Sequence, residues 1–443
     1  MKPRLLPVYL EDETPEPDFY TQLAVLKELT SELVDWLDPA PIGAPVPPGV
    51  AAVAVPDMNG RAYRKLAEFR RIEVPILVIT TEFGTVSMWD WEIRDFLRRR
   101  GVATIAPTSL TETLDVCRAL ALKDELARST MVAYLDDLGA GMQPWIFKRF
   151  YWWEDECVND MQDAFGLTIQ RRSFRELVAR AAAVPEERVA AAADRIWPQT
   201  PHTGLTSRAQ AEALQLYLAL SDEADETPGV IAMGINCLNE SATSVTTPCL
   251  AWNLLYQERG ILWGCESDLT SMITETLVHK SFGAPVMMTN LYPFLMGDAA
   301  IRHERIPYFP AVDSEPENHI LVAHCGFFGL VPQPMASQWT LRNKVLAIVD
   351  ENANMIDARF PEGPTTIVKI ASDMRTLAVC PAELTKYEQF KESDCLNGAV
   401  LKVADGYRYV EMLPSHHAVL ATGDLRRRLE VACAALGMNV LAI

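Results

Sequence analysis

Short, continuous apolar segments alternate with helix-like segments through the first half of the chain, and this alternation most constrains its fold. Three of the apolar segments are AAVAVP (51–56), PILVIT (75–80) and VATIAP (102–107), separated by amphipathic segments at 59–71 and 89–100. A strand without a polar face must be covered on both sides, as in a parallel sheet between layers of helices. The pattern resumes near residue 131 with MVAYL and includes VIAMGINCL (230–238). We therefore predict an α/β architecture for this part of the chain.

After about residue 285 the pattern changes to short β-like segments separated by turn residues. The segments are APVMMTNL, HILVAHCGFF, KVLAIVD, TTIVKIA, LAVCP, AVLKVA and YRYVEMLP, and a closing helix (424–436) and the strand-like MNVLAI follow them. Many short strands with intervening turns are typical of an antiparallel sheet or barrel. We predict such a structure for the C-terminal part.

The charge of the chain bears on its partners. The sequence has 443 residues and a formal net charge of −19, from 40 Lys and Arg against 59 Asp and Glu. An acidic surface repels a phosphate backbone, so no nucleic-acid partner is expected. The densest basic runs, 98–100 and 426–428, are typical of the solvated faces of amphipathic helices.

The expected location follows from the apolar segments and the cysteines. No apolar stretch reaches the roughly 18 residues that a membrane span needs, so no membrane association is expected. The first residues of the chain lack the pattern of a secretory signal. Nine cysteines without a CxxC pair favour reduced thiols. We expect a cytoplasmic protein.

Carboxylates follow two of the predicted buried strands. Glu240 comes shortly after VIAMGINCL, and Glu266 and Asp268 lie in GCESDLTSMIT (264–274), directly after ILW. Open α/β sheets bind ligands at the carboxyl ends of their strands, and a buried carboxylate needs a cation, a proton or water. The structural alternatives are a helix-initiating glutamate at 240 and an N-cap or first-turn acid in CESD.

Three histidines in the C-terminal half are candidates for the same site. His416 and His417 precede the strand-like AVLAT, and His324 lies in VAHCGFFG at the end of a β-like segment. Adjacent residues of an extended chain point in opposite directions, so at most one of the histidine pair can face a given site directly. The other histidine of the pair then lies in an outer position or at the surface. A hydrogen-bonded core histidine is the structural alternative for His324.

Two carboxylates and a neutral imidazole together predict a metal site. This donor set suits Mn²⁺, or another divalent ion such as Mg²⁺ or Co²⁺, in an octahedral site that leaves positions for substrate oxygens. The sequence has no HExxH helix, no GxSxG elbow and no GxGxxG or GxxxxGK[ST] loop. These absences disfavour a zincin, a serine hydrolase of the common elbow type and a nucleotide-phosphate site.

The order of these motifs resembles the L-fucose isomerase and L-arabinose isomerase superfamily. The similar elements are a strand followed by Glu240, then TPC…L…G…CESD…T, then HCG, then SHH, within about 131–443 and most specifically within 236–326. FGLTIQRRSFRELVARA (165–181) is similar to the connecting region of the family's N-terminal domains. The resemblance implies two Rossmann-like parallel-sheet N-terminal domains, 1–128 and 129–262, followed by a C-terminal antiparallel β-barrel domain, 263–443. It also implies a homo-oligomer with sites at subunit interfaces.

The resemblance assigns roles to individual side chains of this sequence. Glu240 and Asp268 match the metal-binding acid/base pair of the family. His417, the second histidine of SHH, matches its histidine ligand, and His416 is then expected to contact the substrate. His324 matches the histidine of the HCG segment, as a ligand or a substrate contact. Trp89 is expected to contact the substrate in a neighbouring subunit's site.

The activity that the resemblance implies is aldose–ketose isomerisation. A base moves a proton between C1 and C2 of an open-chain sugar through a cis-enediol, and a divalent metal stabilises the developing charge. Within CESD, Asp268 is then expected to serve metal binding and proton transfer, with Glu266 as a structural or outlying partner.

The sugar itself and two other functions stay open. Residues 236–239, NCLN, depart from the Arg-Cys-Trp-Pro-like run of many relatives, so the sugar can be a non-fucose aldose or a modified or sulfonated one. One alternative function is an inactive sugar-binding protein of the same fold. The other is a metal-dependent lyase or hydrolase that acts on a sugar-like substrate.

Overall fold

The computed structural model describes residues 2–11, 14–58, 60–81, 89–136, 145–236, 244–304, 308–324, 329–343, 352–389 and 398–443. The chain forms two units. Unit 1 comprises residues 1–125, 280–282 and 427–440, and unit 2 comprises 126–279, 283–426 and 441–443. The division into domains at 128 and 262 stays a prediction. Among the described residues, no helix has both the length and the apolar character needed to cross a membrane.

Unit 1 contains a parallel sheet. The elements of its N-terminal part are β1 (Arg4–Tyr9), α1 (Pro17–Thr30), β2 (Asp35–Trp36), β3 (Ala40–Pro41), β4 (Val50–Val55), a 3₁₀ turn (Ala62–Lys65), α2 (Leu66–Phe69), β5 (Ile76–Val78), α3 (Asp90–Arg98) and α4 (Leu110–Leu126). The strand order is β2-β1-β4-β5, with β3 beside β1, and all pairings are parallel. The predicted strands at 51–56 and 75–80 are confirmed as β4 and β5. The segment 102–107 contributes only the bridge from Ile105 to Leu77.

The first part of unit 2 contains a second parallel sheet. Its elements are β6 (Thr130–Tyr134), α5 (Phe147–Phe150), α6 (Asp155–Phe165), β7 (Thr168–Arg172), α7 (Phe174–Ala182), α8 (Glu186–Ile196), a 3₁₀ turn (Trp197–Gln199), β8 (His202–Thr203), α9 (Ser207–Glu226), β9 (Val230–Ile235), α10 (Cys249–Arg259), β10 (Leu262–Cys265) and α11 (Leu269–Phe282). The strand order is β10-β9-β6-β7, again parallel throughout. Ile235 pairs with Cys265, so the carboxyl ends of β9 and β10 lie side by side.

The second part of unit 2 is a closed antiparallel barrel. The elements after α11 are β11 (Val286–Pro293), α12 (Gly297–Glu304), β12 (His319–Ala323), β13 (Gln338–Asn343), β14 (Asn354–Arg359), β15 (Gly363–Ile370), β16 (Thr376–Glu388), β17 (Gly398–Val403), α13 (Gly406–Met412), β18 (His417–Thr422), α14 (Arg426–Leu436) and β19 (Asn439–Ala442), with 3₁₀ turns at Phe294–Met296, Pro316–Asn318 and Gln333–Met335. Six strands in the order β15-β18-β11-β12-β17-β16 close through pairing of β15 with β16. The predicted barrel is confirmed.

One segment of the C-terminal part differs from its β-like sequence pattern. YRYVEMLP is not a strand, because Asp405 caps a helix there by accepting from the Arg408 backbone amide, and α13 follows. The segments β13 and β14 lie outside the barrel, in a three-stranded sheet of order β14-β13-β8. KVLAIVD (344–350) lies outside the described residues.

The barrel register brings two histidines to one end of the barrel. His417, the first residue of β18, pairs with Asn290 of β11, and Asn290 pairs in turn with Ala323 of β12. His324 directly follows Ala323, so both histidines flank β11 at the same level.

Helix α11 packs closely on the second parallel sheet because two strand positions lack a side chain. A Cβ atom on Gly264 of β10 would lie 2.5 Å from Met272 Sδ, and one on Gly234 of β9 would lie 2.9 Å from the same atom. Met272 itself is fully buried. Glycine at these positions thus sets the distance between the sheet and the helix that follows residues 266–268.

We predict that Gly264→Ala lowers the free energy of unfolding by ~1–3 kcal/mol, because the added methyl group overpacks the contact with Met272. Met272→Ala should also destabilise the protein, by ~2–5 kcal/mol, since it leaves a cavity. The methyl group added at position 264 can occupy part of that cavity, so the double variant should be less destabilised than the sum of the single variants. Denaturant unfolding of all four proteins measures this, and strictly additive effects would contradict the contact.

Candidate metal centre

The turn between β10 and α11 holds its residues in an uncommon backbone conformation. Glu266 and Ser267 have φ values of 55° and 51°, in the left-handed region that non-glycine residues rarely adopt, and Asp268 then caps α11. Such a conformation costs about 1–3 kcal/mol per residue unless its surroundings hold it. Ser267 Oγ donates to the Tyr134 carbonyl oxygen (2.9 Å), and Trp153 Nε1 donates to the Ser267 carbonyl oxygen (2.8 Å). These bonds hold the turn at the carboxyl edge of the sheet.

Glu266, His324 and His417 come together next to this turn. One nitrogen or oxygen atom from each side chain lies within 4.8 Å of the other two. His417 Nε2 is 3.9 Å from Glu266 Oε1, and the two imidazole rings meet edge to face with centroids 5.7 Å apart. All three residues are buried, with exposed fractions of 3%, 3% and 1%. We call them the Glu-His-His cluster.

The Glu-His-His cluster can hold a metal ion. A separation of 3.9 Å between His417 Nε2 and Glu266 Oε1 is too long for a hydrogen bond. It suits two ligands of one ion, because atoms that are each about 2.1 Å from a metal lie about 3–4 Å apart. Two imidazoles and one carboxylate are common ligands of divalent transition metals. Among the described residues, no other group of three His, Cys, Asp or Glu side chains is arranged in this way.

Tyr151 packs directly against the cluster. Its ring stacks on His417 with centroids 4.9 Å apart and an interplanar angle of 10°. Its hydroxyl group donates to Glu266 Oε2 (2.6 Å) and lies 3.5 Å from His417 Nε2. Burial and the nearby Glu266 carboxylate raise the pKa of Tyr151 well above its usual value, so the phenol keeps its proton. The hydroxyl therefore bonds to Oε2 of Glu266, and Oε1 is the oxygen nearer to His417 Nε2.

Asp268 binds the opposite nitrogen of His417 and does not belong to the cluster. Its Oδ2 is 3.2 Å from His417 Nδ1, 3.0 Å from Lys369 Nζ and 2.7 Å from Ser271 Oγ. Its Oδ1 accepts from Thr270 Oγ1 (2.6 Å) and from the Ser271 amide (3.0 Å). Five partners fill the lone-pair positions of a carboxylate. The predicted role of Asp268 as a metal ligand stays a prediction.

The charges around Asp268 and His417 determine their protonation. Burial alone would raise the pKa of Asp268, but the Lys369 ammonium, His417 and Thr270 have a larger opposite effect. The pKa of Asp268 therefore lies below its usual value, and the carboxylate is ionised. Burial, followed by the nearby His416, holds the pKa of His417 well below its usual value despite the opposite effect of Asp268, so His417 is neutral. Because Nδ1 of this neutral imidazole lies within hydrogen-bond distance of the Asp268 carboxylate, the ring proton belongs on Nδ1. The Nε2 lone pair then faces Glu266, as metal binding requires.

The other predicted site residues lie in different surroundings. His416 is exposed and packs against Phe147 with ring centroids 5.7 Å apart, while its carbonyl oxygen accepts from the Leu291 amide (2.9 Å). Trp89 belongs to unit 1, immediately before α3, and 54% of its surface is exposed. Glu240 falls in 237–243, outside the described residues.

The structure thus brings together two predicted histidines and one carboxylate that was expected to lie further out. Glu266 is in the cluster with His324 and His417, whereas Asp268 contacts the cluster through His417 Nδ1. The role of each carboxylate in CESD is taken up as a proposal below. The sequence analysis did not identify Lys369 or Tyr151 as site residues. A single lysine in the apolar segment TTIVKIA could have indicated a buried cation.

Comparison of the chain with protein-family models and with curated protein sequences found no match.

A further buried acid lies on the same face of α11 as Asp268 and Ser271. Glu275 follows these residues at helical spacing and is fully buried. Neither of its carboxyl oxygens has a hydrogen bond of ordinary geometry among the described residues. Burial, and then the Asp268 charge, raise the pKa of Glu275 well above its usual value, against smaller opposite effects of Lys369 and the Met288 amide. Glu275 is therefore a neutral acid in the folded protein.

We predict that Glu275→Gln gains stability relative to the wild type as pH rises from 5 to 8. The unfolded chain releases the Glu275 proton above a pH of about 4.3, whereas the folded chain retains it up to its raised pKa. The free energy of unfolding of the wild type therefore falls with pH in this window, by at most about 1.4 kcal/mol per pH unit from this group. Glutamine removes this contribution.

Denaturant unfolding at pH 5, 6.5 and 8 measures the difference between Glu275→Gln and the wild type. Glu187→Gln, on an exposed part of α8, is the matched control for the same substitution at a position in contact with solvent. A constant difference for Glu275→Gln would mean that Glu275 is ionised in the folded protein.

Proposed function

We propose that this protein is a metal-dependent aldose–ketose isomerase whose metal is held by Glu266, His324 and His417. The observation that carries the proposal is the buried Glu-His-His cluster at the carboxyl edge of a parallel sheet, where open α/β sheets bind their ligands. The motif order that resembles the L-fucose and L-arabinose isomerases supports the reaction type. Rossmann-like character of the two parallel sheets belongs to the same proposal.

We propose Mn²⁺ as the metal, with Mg²⁺ or Co²⁺ as related possibilities. Two imidazoles and a carboxylate form a borderline donor set, and Glu240 would add a second, hard oxygen ligand. A bound divalent ion would supply charge stabilisation to the substrate oxygens at C1 and C2, which acidifies the neighbouring C–H bond. Neutral His417 needs no change of protonation to bind such an ion.

Each carboxylate of the site receives a distinct role in this proposal. Asp268 already has five partners, so it orients His417 rather than binding metal. Glu266 takes the ligand position. Glu240 then moves the proton between C1 and C2 as the general base and acid, a step that needs a carboxylate beside the substrate carbons.

The surroundings of the cluster support chemistry on a polar substrate in a dry site. Tyr151 donates to Glu266 and stacks on His417, so it fixes both side chains and excludes water from that side. Electrostatic interactions are stronger in such a low-dielectric environment than in water. The substrate that fits the proposal is an open-chain aldose, including a modified one. A cytoplasmic homo-oligomer, in which Trp89 contacts substrate in a neighbouring copy, completes the proposal.

We predict that His417→Gln lowers the affinity for Mn²⁺ by more than about 100-fold, whereas His416→Gln leaves it close to that of the wild type. Loss of a ligand should exceed the roughly 10–100-fold effect of losing an outer partner of a metal site. Glu266→Gln and His324→Gln should resemble His417→Gln. Calorimetric titration of metal-free protein, with metal analysis after dialysis, measures these affinities.

The two adjacent histidines make a matched pair for this test, because the same substitution is made one residue apart. Equal losses at 416 and 417 would contradict the cluster as the metal site. A wild-type protein that binds no divalent ion after reconstitution would remove the basis of the proposed function.

We predict that the reconstituted protein forms a ketose from at least one aldose and incorporates deuterium at the carbon that receives the proton in D₂O. Glu240→Gln should lower this activity by about 10²–10⁴-fold, the range of general acid–base catalysis, while the protein still binds sugar. Proton NMR of a panel of pentoses, hexoses and sulfonated sugars measures both exchange and product.

The same NMR experiment separates the alternative functions. Saturable sugar binding without exchange or product would indicate an inactive sugar-binding protein. Fragments or hydrolysed sugar in place of a ketose would indicate a lyase or a hydrolase.

A further inference from the structure

Lys369 is a buried cation in a barrel strand, two contacts away from the Glu-His-His cluster. It lies near the end of β15 and 2% of its surface is exposed. Its Nζ donates to Asp268 Oδ2 (3.0 Å) and to Ser271 Oγ (2.7 Å). Asp268 in turn contacts His417 Nδ1 at 3.2 Å. Lys369, Asp268 and His417 therefore form a continuous buried chain that ends at a proposed metal ligand.

We propose that Lys369 is a positioning residue for the metal centre: it holds the Asp268 carboxylate against His417 Nδ1–H, so that His417 presents the Nε2 lone pair to the metal. This proposal rests on the proposed function for its metal. Metal-binding histidines commonly donate their second ring N–H to a carboxylate, and loss of that partner weakens metal binding about 10–100-fold. Lys369 extends this arrangement by one further residue.

The need for a cation follows from the burial of Asp268. Its side chain is fully buried, and a buried carboxylate without a partner of opposite charge is unfavourable by several kcal/mol. Its remaining partners, Thr270 Oγ1 and the Ser271 amide and hydroxyl, are neutral. In the described part of the chain, the Lys369 ammonium is the charged lysine or arginine group that pairs with Asp268. Without it, the buried charge of Asp268 is left with neutral partners.

The tautomer of His417 distinguishes a positioning role from simple stabilisation. With Asp268 in place, the ring proton belongs on Nδ1. When that acceptor is lost, the proton can move to Nε2, and that tautomer has no lone pair for a metal on Nε2. A lysine that only stabilised the barrel would change the unfolding free energy without changing the tautomer.

The test compares the wild type with four variants of the full chain, each labelled with ¹⁵N-histidine. The sequence has seven histidines, so comparison with His417→Gln identifies the His417 signals. Lys369→Met removes the cation but keeps an unbranched apolar side chain. Asp268→Asn combined with Lys369→Met also removes the buried charge, and its amide oxygen can still accept from Nδ1–H. Lys402→Met, on an exposed position of the barrel strand β17, is the control.

In metal-free protein, we expect the wild type, the control and the double variant to show the Nδ1–H tautomer, and Lys369→Met to show a large Nε2–H population. The affinity for Mn²⁺ should fall about 10–100-fold in Lys369→Met. It should recover by at least half of that loss, on a logarithmic scale, in the double variant.

An unchanged His417 tautomer and unchanged Mn²⁺ affinity in folded Lys369→Met would overturn the proposal. So would a double variant as impaired as Lys369→Met, because Lys369 would then act other than through the Asp268 charge. If Lys369→Met alone does not fold, Lys369→Gln, which also removes the cation but keeps a hydrogen-bond donor, takes its place. A large Nε2–H population in that variant supports the positioning role, and an unchanged Nδ1–H tautomer overturns it.

The failure of this proposal is distinguishable from failure of the proposed function. If the wild type binds no metal, the isomerase proposal is contradicted. The tautomer of His417 in the metal-free protein still reports whether Lys369 positions Asp268. If the wild type binds metal but Lys369→Met changes neither the His417 tautomer nor the metal affinity, only the inference about Lys369 is contradicted.

Discussion

The fully buried Asp268 carboxylate is the group on which the geometry of the site depends. It caps α11 through the Ser271 amide, pairs with Lys369 from β15 and contacts His417 from β18. A buried charge is tolerated only when it has all of these partners. If one is missing, the free-energy cost of desolvating the charge exceeds the stabilisation from the remaining contacts. Within unit 2, the helix that follows the parallel sheet and two strands of the barrel must therefore be in place together, and only then is His417 oriented.

The same turn explains why two carboxylates separated by one residue have different surroundings. Glu266 has a left-handed backbone conformation and lies beside His417 Nε2, whereas Asp268 is extended, caps the helix and meets Nδ1. One imidazole thus lies between a carboxylate that can share a metal with it and a carboxylate that fixes its proton. Sequence position alone cannot distinguish these roles, since both residues follow the same strand.

Much of the fold was visible in the sequence, because apolar strands and turn spacing report burial directly. The strands β4, β5 and β9 and the closed barrel agree with the predicted segments. YRYVEMLP did not, since its helix depends on the Asp405 cap rather than on its alternating pattern. At the site, positions at the ends of strands pointed to His324, His417 and the carboxylates of CESD, although Asp268 rather than Glu266 was expected to bind the metal. Lys369 and Tyr151 were not apparent, because a lone lysine in a strand and an aromatic run have many plain structural explanations.

The sequence by itself determined that carboxylates follow buried strands, that histidines border a C-terminal set of β segments, and that a buried carboxylate needs a cation, a proton or water. Only the tertiary structure decided which groups meet. The barrel register places His324 and His417 on either side of β11, and the backbone turn places Glu266 beside them. It also gives Asp268 its cation from Lys369, 101 residues away in the sequence. Contacts over such distances depend on strand pairing and packing, which no local pattern of residues specifies.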